Sequence, residues 1–262
     1  MIERRTIPYW QRILFGVFAV YVALLFLVTM LLTALYVAIC DLCFREPRRT
    51  AMVLKGYRVW MGVFLPLAGC RIRIRGKERL KGRGPFVVVA NHRSFVDILV
   101  MTPFVPGVNK TLAKKELASI PVFNLIYRAG SVLVDRKNPA SRVKSYEAMK
   151  EVLRQGMHMI IYPEGTRNTT AEPLRPFQDG AFALAIETQR PIVPAVLFHT
   201  EKILPPGAGL YFRPHRIELH FLPPVSVEGY DRSQVQELKQ QVFSLMKQYY
   251  VQCLQQPHWN KS

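Results

Sequence analysis

The sequence predicts an α/β fold, a single mixed, mostly parallel sheet covered by helices on both faces, preceded by an N-terminal membrane-anchoring helical segment. Two observations carry this. After residue 70, short apolar β-rich runs alternate with longer helix-like runs, the pattern of strands joined by crossover helices. Before residue 70, Ile13 to Cys40 is a stretch of 28 residues without a charge. The chain of 262 residues is therefore read as a membrane anchor over 1–70 and one α/β domain over 71–262.

The anchor comes first. At about 1.5 Å per residue, the uncharged stretch exceeds the ~30 Å hydrocarbon core and can span it with tilt. Tyr9 and Trp10 before it, and Tyr36 near its end, suit interfacial positions. The run is too long for a signal-peptide core and lacks a small-residue cleavage site. After a basic hinge of Arg45, Arg48 and Arg49, the segment Val59 to Cys70 is too short to span alone. It fits an interfacial segment, a re-entrant helix or part of the core. Arg4, Arg5 and Arg12 flank one side of the long run, but the larger basic set follows it. That side, with everything after residue 41, is expected in the cytoplasm at the cell membrane.

From Arg71 to Arg83 every second residue is basic. On a strand this puts the first arginines on one face and Ile72 and Ile74 on the other. The pattern fits a solvated edge strand guarded by charge, or a contact with anionic membrane lipids. Strands follow near Pro85–Ala90, Lys110–Ala113, Ser131–Val134, Met157–Tyr162, Ile192–Phe198 and Arg216–Phe221. Helices fit Ser94–Pro103, Leu117–Ala129, Ala140–Arg154, Gly180–Glu187 and Ser233–Gln255.

Charge narrows the partners. The net charge of +18 divides into +5 over residues 1–70 and +13 over the rest, so no single tail carries it. Anionic lipid and phosphorylated small molecules fit this excess. No nucleic-acid signature accompanies the charge, and no nucleic-acid partner is expected. Cys40, Cys43, Cys70 and Cys253 make neither a disulfide framework nor a paired metal motif. No metal and no cofactor is expected.

Candidate site residues fall at strand ends, where α/β folds place their chemistry. His92 follows the Pro85–Ala90 strand, and Asp97 lies five residues on, spaced to act as a base and its orienter. Ser94-x-x-Asp97 is also a capping box in form. Lys114 precedes Glu116, Leu117 and Pro121, in a position to hold an anion. Arg136 follows Val134-Asp135 as an ion pair or an anion clamp. Tyr162-Pro163-Glu164-Gly165-Thr166-Arg167 is a tight turn presenting a hydroxyl and an arginine suited to bidentate phosphate recognition.

In order and spacing, Asn91-His92-x4-Asp97, Lys114-x-Glu116-Leu117, Tyr162 to Arg167 and Ile192-Val193-Pro194-Ala195 resemble the glycerolipid acyltransferase family over about residues 85 to 200. The match is closest to its 1-acylglycerol-3-phosphate acyltransferase branch. The resemblance implies a glycerol-3-phosphate acyltransferase-like fold and acyl transfer from acyl-CoA or acyl-carrier protein to the hydroxyl of lysophosphatidic acid. It implies His92 as general base and Asp97 as its orienter. Lys114, Arg136 and Arg167 would gather round the acceptor phosphate, Gly165 and Thr166 would shape that pocket, and Glu164 would order the loop or the arginine.

Two departures stand out. Phe177-Gln178-Asp179-Gly180 lacks a lysine found in many relatives, and Ala195 stands where valine is usual. Glycerol-3-phosphate or a lyso-aminolipid as acceptor, and a membrane-anchored binding protein without catalysis, remain open. A hydrolase would need a Gly-x-Ser-x-Gly elbow that is not apparent.

Overall fold

A computed structural model describes residues 9–256 apart from 83, 208 and 210. Of residues 9–12 it describes only the backbone, so the expectations for Arg4, Arg5, Arg12, Arg83 and the rings of Tyr9 and Trp10 lie outside what is described.

Two long helices open the described chain, α1 (Tyr9–Cys43) and α2 (Arg48–Leu67). Within α1, Ile13–Cys43 is long and apolar enough to cross a membrane. Its small residues Ala19 and Ala34, with Val22, Val37 and Cys40, are buried, whereas Leu24, Leu31, Leu32, Leu35 and Leu42 are exposed. One face thus seats on the protein and the rest is free for lipid. Gly56 lets the helices approach closely, because a Cβ there would run into the Tyr36 ring. Tyr36 donates to the Met52 carbonyl, and Trp60 donates to Thr29 Oγ1 at 2.9 Å.

The sheet has seven strands in the order β1-β7-β6-β2-β5-β3-β4. They are β1 (Arg71–Arg75), β2 (Val87–Ala90), β3 (Asn109–Lys114), β4 (Ser131–Val134), β5 (His158–Ile161), β6 (Ile192–Phe198) and β7 (Arg216–Phe221). All neighbours pair in parallel except β6 and β7. Hence β1 and β7 run against the other five. The expected mixed, mostly parallel sheet is what forms.

Alternation along the strands sends side chains into two cores. Val88 and Ala90 of β2 and Val193, Ala195 and Leu197 of β6 face one core, which they share with α1, α2, α3 (Val96–Phe104) and α4 (Phe123–Ala129). Val87 and Val89, with Ile192, Val196 and Phe198, face the other, under α5 (Pro139–Arg154), α6 (Gly180–Thr188) and α8 (Val235–Gln255). The four-residue α7 (Thr200–Ile203) follows β6.

Several boundaries differ from the sequence reading. The segment 59–70 is not a separate interfacial piece: most of it completes α2, where Trp60, Met61, Phe64 and Leu65 are buried, the core alternative. The alternating basic run is a strand only to Arg75. Gly76 then turns at φ 74°, where a Cβ would strike the Phe221 carbonyl. The helix expected over Leu117–Ala129 breaks into a 3-10 turn (Lys115–Ser119) and α4. Pro121 disfavours helix in the residue before it, and Val122 adopts φ 64°.

Candidate active site

Five parallel strands end at one edge of the sheet, and the candidate residues lie along it. β2 is central there. Asn91, just past its last residue, donates to the Leu197 carbonyl at 2.9 Å and accepts the Leu197 amide at 2.7 Å. This two-way bond ties the end of β2 to β6 and fixes where the next residue starts. The next residue is His92.

The His92 ring lies with Nδ1 2.8 Å from Asp97 Oδ2. That same oxygen accepts the amides of Arg93 at 2.7 Å and Ser94 at 2.8 Å. Asp97 is fully buried. An oxygen that already accepts two amides is an acceptor toward the imidazole, so Nδ1 carries the proton. Nε2 then holds a lone pair, and the side chain retains 13% exposure. The other ring face stacks on Tyr162, centroids 4.4 Å apart. The arrangement can hold one tautomer and take a proton at Nε2. The capping contact and the histidine contact thus coexist, both on one oxygen.

Glu164 is buried and touches the backbone rather than an arginine. Its Oε1 accepts the His92 amide at 2.8 Å and its Oε2 the Arg175 amide at 2.9 Å. Burial pushes its carboxyl above the ordinary range, and the two amides only partly offset this. Gly165 follows at φ 71°, a conformation an L side chain resists. Thr166 and Arg167 are exposed beyond it.

Lys114 ends β3, half exposed, with Nζ 3.3 Å from Glu116. Its register partner is Val134 at the end of β4, so Arg136 emerges two residues beyond the neighbouring strand. Arg136 is exposed and, like Arg167, has no carboxylate partner among the described residues. Asp135 turns instead to the Lys137 amide. Tyr127 lies near Lys114 and Arg136, its hydroxyl pushed up to about 12 chiefly by burial. The structure therefore gathers His92, Asp97 and Glu164 into one bonded unit. It sets Lys114 at the end of β3 and Arg136 and Arg167 in the segments that follow β4 and β5, past the same edge.

Sequence reasoning missed three contributors. Arg93 is buried, and its guanidinium donates to the carbonyls of Glu172 at 3.0 Å and Thr170 at 3.2 Å. Asn168 donates its amide to the His92 carbonyl at 2.6 Å, while its side chain accepts from Thr170. Tyr162 was quoted only as part of a motif. The string Asn168-Thr169-Thr170, with its side-chain-capped turn chemistry, was the available signal. At the position of the missing lysine, Gln178 packs near Gly165 and Asp179 pairs with Lys239 at 2.7 Å. Ala195 is fully buried in register with Ala90.

Beside the site, an apolar cavity of about 230 Å³ lies between α1, α2, α3 and α7, lined by Phe26, Phe64, Phe95, Leu99, Ile203 and Phe212 among others.

The acyltransferase family model matches residues 71–197, which include every candidate residue above. This chain is 34% identical over 183 residues to human 1-acyl-sn-glycerol-3-phosphate acyltransferase alpha, covering 67% of this chain and 62% of the relative. The mouse protein of that name is 34% identical over 165 residues, 62% of this chain and 58% of the relative. The 1-acyl-sn-glycerol-3-phosphate acyltransferase of Cocos nucifera is 31% identical over 181 residues, 68% and 58%. The matched region thus spans about three-fifths of the curated relatives' length. The fold of this chain matches the crystal structure of the 1-acyl-sn-glycerophosphate acyltransferase PlsC from Thermotoga maritima. The TM-score is 0.77 at 23% identity, over 95% of this chain and 99% of that one.

Proposed function

We propose that this protein is an O-acyltransferase that moves a fatty acyl chain from an acyl thioester to the sn-2 hydroxyl of 1-acylglycerol-3-phosphate, giving phosphatidic acid. The donor is acyl-CoA or acyl-carrier protein. The observation that carries the reading is the single oxygen of Asp97 that fixes both the His92 ring and the turn it stands on.

In this reading His92 Nε2 takes the proton of the acceptor hydroxyl as its oxygen attacks the thioester carbonyl. The tetrahedral intermediate collapses, the carbon–sulfur bond breaks, and the imidazolium returns the proton to the departing sulfur. Asp97 holds the tautomer and stabilises the imidazolium. No serine or cysteine nucleophile is needed. General-base assistance contributes roughly 10²–10⁴-fold, and positioning supplies the remainder together with stabilisation of the oxyanion. Lys114, Arg136 and Arg167, with Gly165 and Thr166 shaping the turn, receive the acceptor phosphate. The buried bonds of Glu164 suit it to hold the loop.

In this reading the N-terminal helices anchor the protein at the membrane, residues 71–262 lie on the cytoplasmic side, and the apolar cavity beside α3 accepts acyl chain. Exposed Leu31, Leu32, Leu35, Val59 and Val63 support membrane attachment through α1 and α2.

The test is turnover by detergent-solubilised protein with labelled acyl-CoA or acyl-carrier protein, against lysophosphatidic acid, glycerol-3-phosphate and a lyso-aminolipid. Labelled phosphatidic acid is expected, and it should vanish in a folded His92→Ala variant. Product only with another acceptor would reassign the substrate. No product from any pair would favour a membrane-anchored binding protein.

A further inference from the structure

The reversal of β1 and β7 has a consequence for charge. Because these strands run against the other five, their beginnings lie at the edge where β2, β5, β3 and β4 end. Arg71 opens β1 and is the register partner of Arg216, which opens β7. Arg213 stands just before β7, and its amide is bonded to the Ile203 carbonyl of α7, next to Lys202. A group of four cations, Arg71, Lys202, Arg213 and Arg216, therefore occupies the β6–β7–β1 flank of His92, opposite Arg167, Lys114 and Arg136.

Local carboxylates do not balance this group. Glu218 takes Arg216 at 2.7 Å and approaches Arg75 at 3.8 Å. Neither Arg71 nor Arg213 has a carboxylate partner among the described residues. Lys202 is held below its ordinary range, first by burial and then by Arg213, against the pull of Glu201. His199 beside them is pushed down to about 3 by burial and by its cationic neighbours. Like charges packed together at this edge call for an anion from outside the chain.

Position argues for what that anion belongs to. The arginines of β1 share a face with Glu218 and His220, which reaches Tyr249 of α8, while Ile72 and Ile74 pack toward the core shared with α1 and α2. The cations of β1 and β7 are thus turned away from the apolar helices, which disfavours lipid headgroups for them. Two strand steps, about 10 Å, separate β2 from β7. A phosphopantetheine arm is longer than that gap. Ile203 and Phe212, neighbours of Lys202 and Arg213, line the apolar cavity.

We propose that Lys202 and Arg213, beside the cavity, form a second anion site that binds the phosphates of a phosphopantetheine thioester, the acyl donor, while its acyl chain enters that cavity and Arg71 and Arg216 add to the positive field from the other face of the sheet. This rests on the functional reading above and adds the donor's place to it. Substrates then approach His92 from opposite flanks, the donor over β6–β7 and the acceptor over β5–β3–β4.

The experiment uses the full-length solubilised protein and the variants Lys202→Ala, Arg213→Ala and the double variant, with melting temperature as the folding control. Isothermal titration with CoA alone reads binding without turnover. Loss of about tenfold or more in CoA affinity is expected in the double variant, matching loss of charge-assisted bonds. In steady state, KM for the donor rises and KM for lysophosphatidic acid does not. Acyl-CoA, its 3′-dephospho form and acyl-carrier protein as parallel donors show which carrier supplies the phosphate, and a donor-specific rise with either carrier supports the site. Unchanged donor KM and CoA affinity would overturn it, as would an equal or larger rise in the acceptor's KM. The CoA titration keeps this outcome separate from the functional reading, because wild-type protein that binds CoA but makes no product would overturn that reading alone.

Discussion

Glu164 holds His92 by its main chain and not by its ring: Oε1 accepts the His92 amide at 2.8 Å, while the imidazole turns to Asp97. The other oxygen of Glu164 accepts the Arg175 amide. The carboxylate therefore joins the loop after β2 to the turn after β5, two adjacent strands. Glu164→Gln can satisfy only one amide, and its NH₂ then faces the other donor. An expected cost of about 1–3 kcal/mol should lower the melting temperature, and turnover should fall at least tenfold as the loop loosens. Unchanged kcat and melting temperature would show that the loop is held by other bonds.

Asp97 offers a cleaner separation of charge from geometry. Its three contacts all fall on Oδ2, so the carbonyl oxygen of Asp97→Asn can take that place and the amide nitrogen the other. We expect a folded protein whose kcat drops roughly 10²–10⁴-fold, because the imidazolium loses its counter-charge. His92→Ala should abolish transfer with the fold intact. Circular dichroism and melting curves check the fold, and product formation checks the chemistry.

Arg167 is exposed beyond Gly165 and has no carboxylate partner among the described residues. Arg167→Ala should raise KM for a phosphorylated acceptor by about tenfold and leave donor KM near its original value. A change confined to the donor would contradict that role.

The helical hairpin can be tested at Gly56. A Cβ there would sit 2.5 Å from the Tyr36 ring. Gly56→Val should destabilise the protein by about 1–3 kcal/mol, read as a lower melting temperature in detergent. Adding Tyr36→Leu should restore part of it. Simple additivity of the two losses would rule out the contact.

His158 makes a pH prediction. Its Nδ1 accepts the Phe86 amide at 3.0 Å, so the ring is neutral with its proton on Nε2. Burial lowers its pKa to about 4. The unfolded chain titrates near 6.5, so between about pH 6.5 and 4 the unfolded state binds the extra proton. The stability this histidine confers is present above that window and lost as pH falls through it, on the order of 3 kcal/mol. His158→Gln keeps an acceptor for Phe86 and should flatten the wild-type slope. His199 and His220 titrate in both proteins, so the difference between the two curves isolates His158.

Much of this was legible before any coordinates. The strands were readable because Val87–Val89 and Ile192–Phe198 are buried on both faces, and such runs are apolar at every position. His92 and Asp97 were readable because a five-residue spacing across a helix start brings an imidazole to a carboxylate. The direction of β1 and β7 was not readable, since strand patterns carry no sign of parallel or antiparallel pairing. Nor was the single-oxygen arrangement of Asp97, because spacing places a carboxylate without choosing between its oxygens. Nothing in the sequence sets Arg93 apart from the other cations of a basic chain. Its burial depends on carbonyls near 170–173, some eighty residues away.

The sharing of one core by α1, α2, β2 and β6 bears on how the protein is made. Synthesis delivers the hairpin well before β6, and its apolar outer surface has to be taken up by lipid or a chaperone in that interval. The strands that follow then collapse onto helices already in place, so hairpin packing and sheet formation are successive stages of one folding reaction.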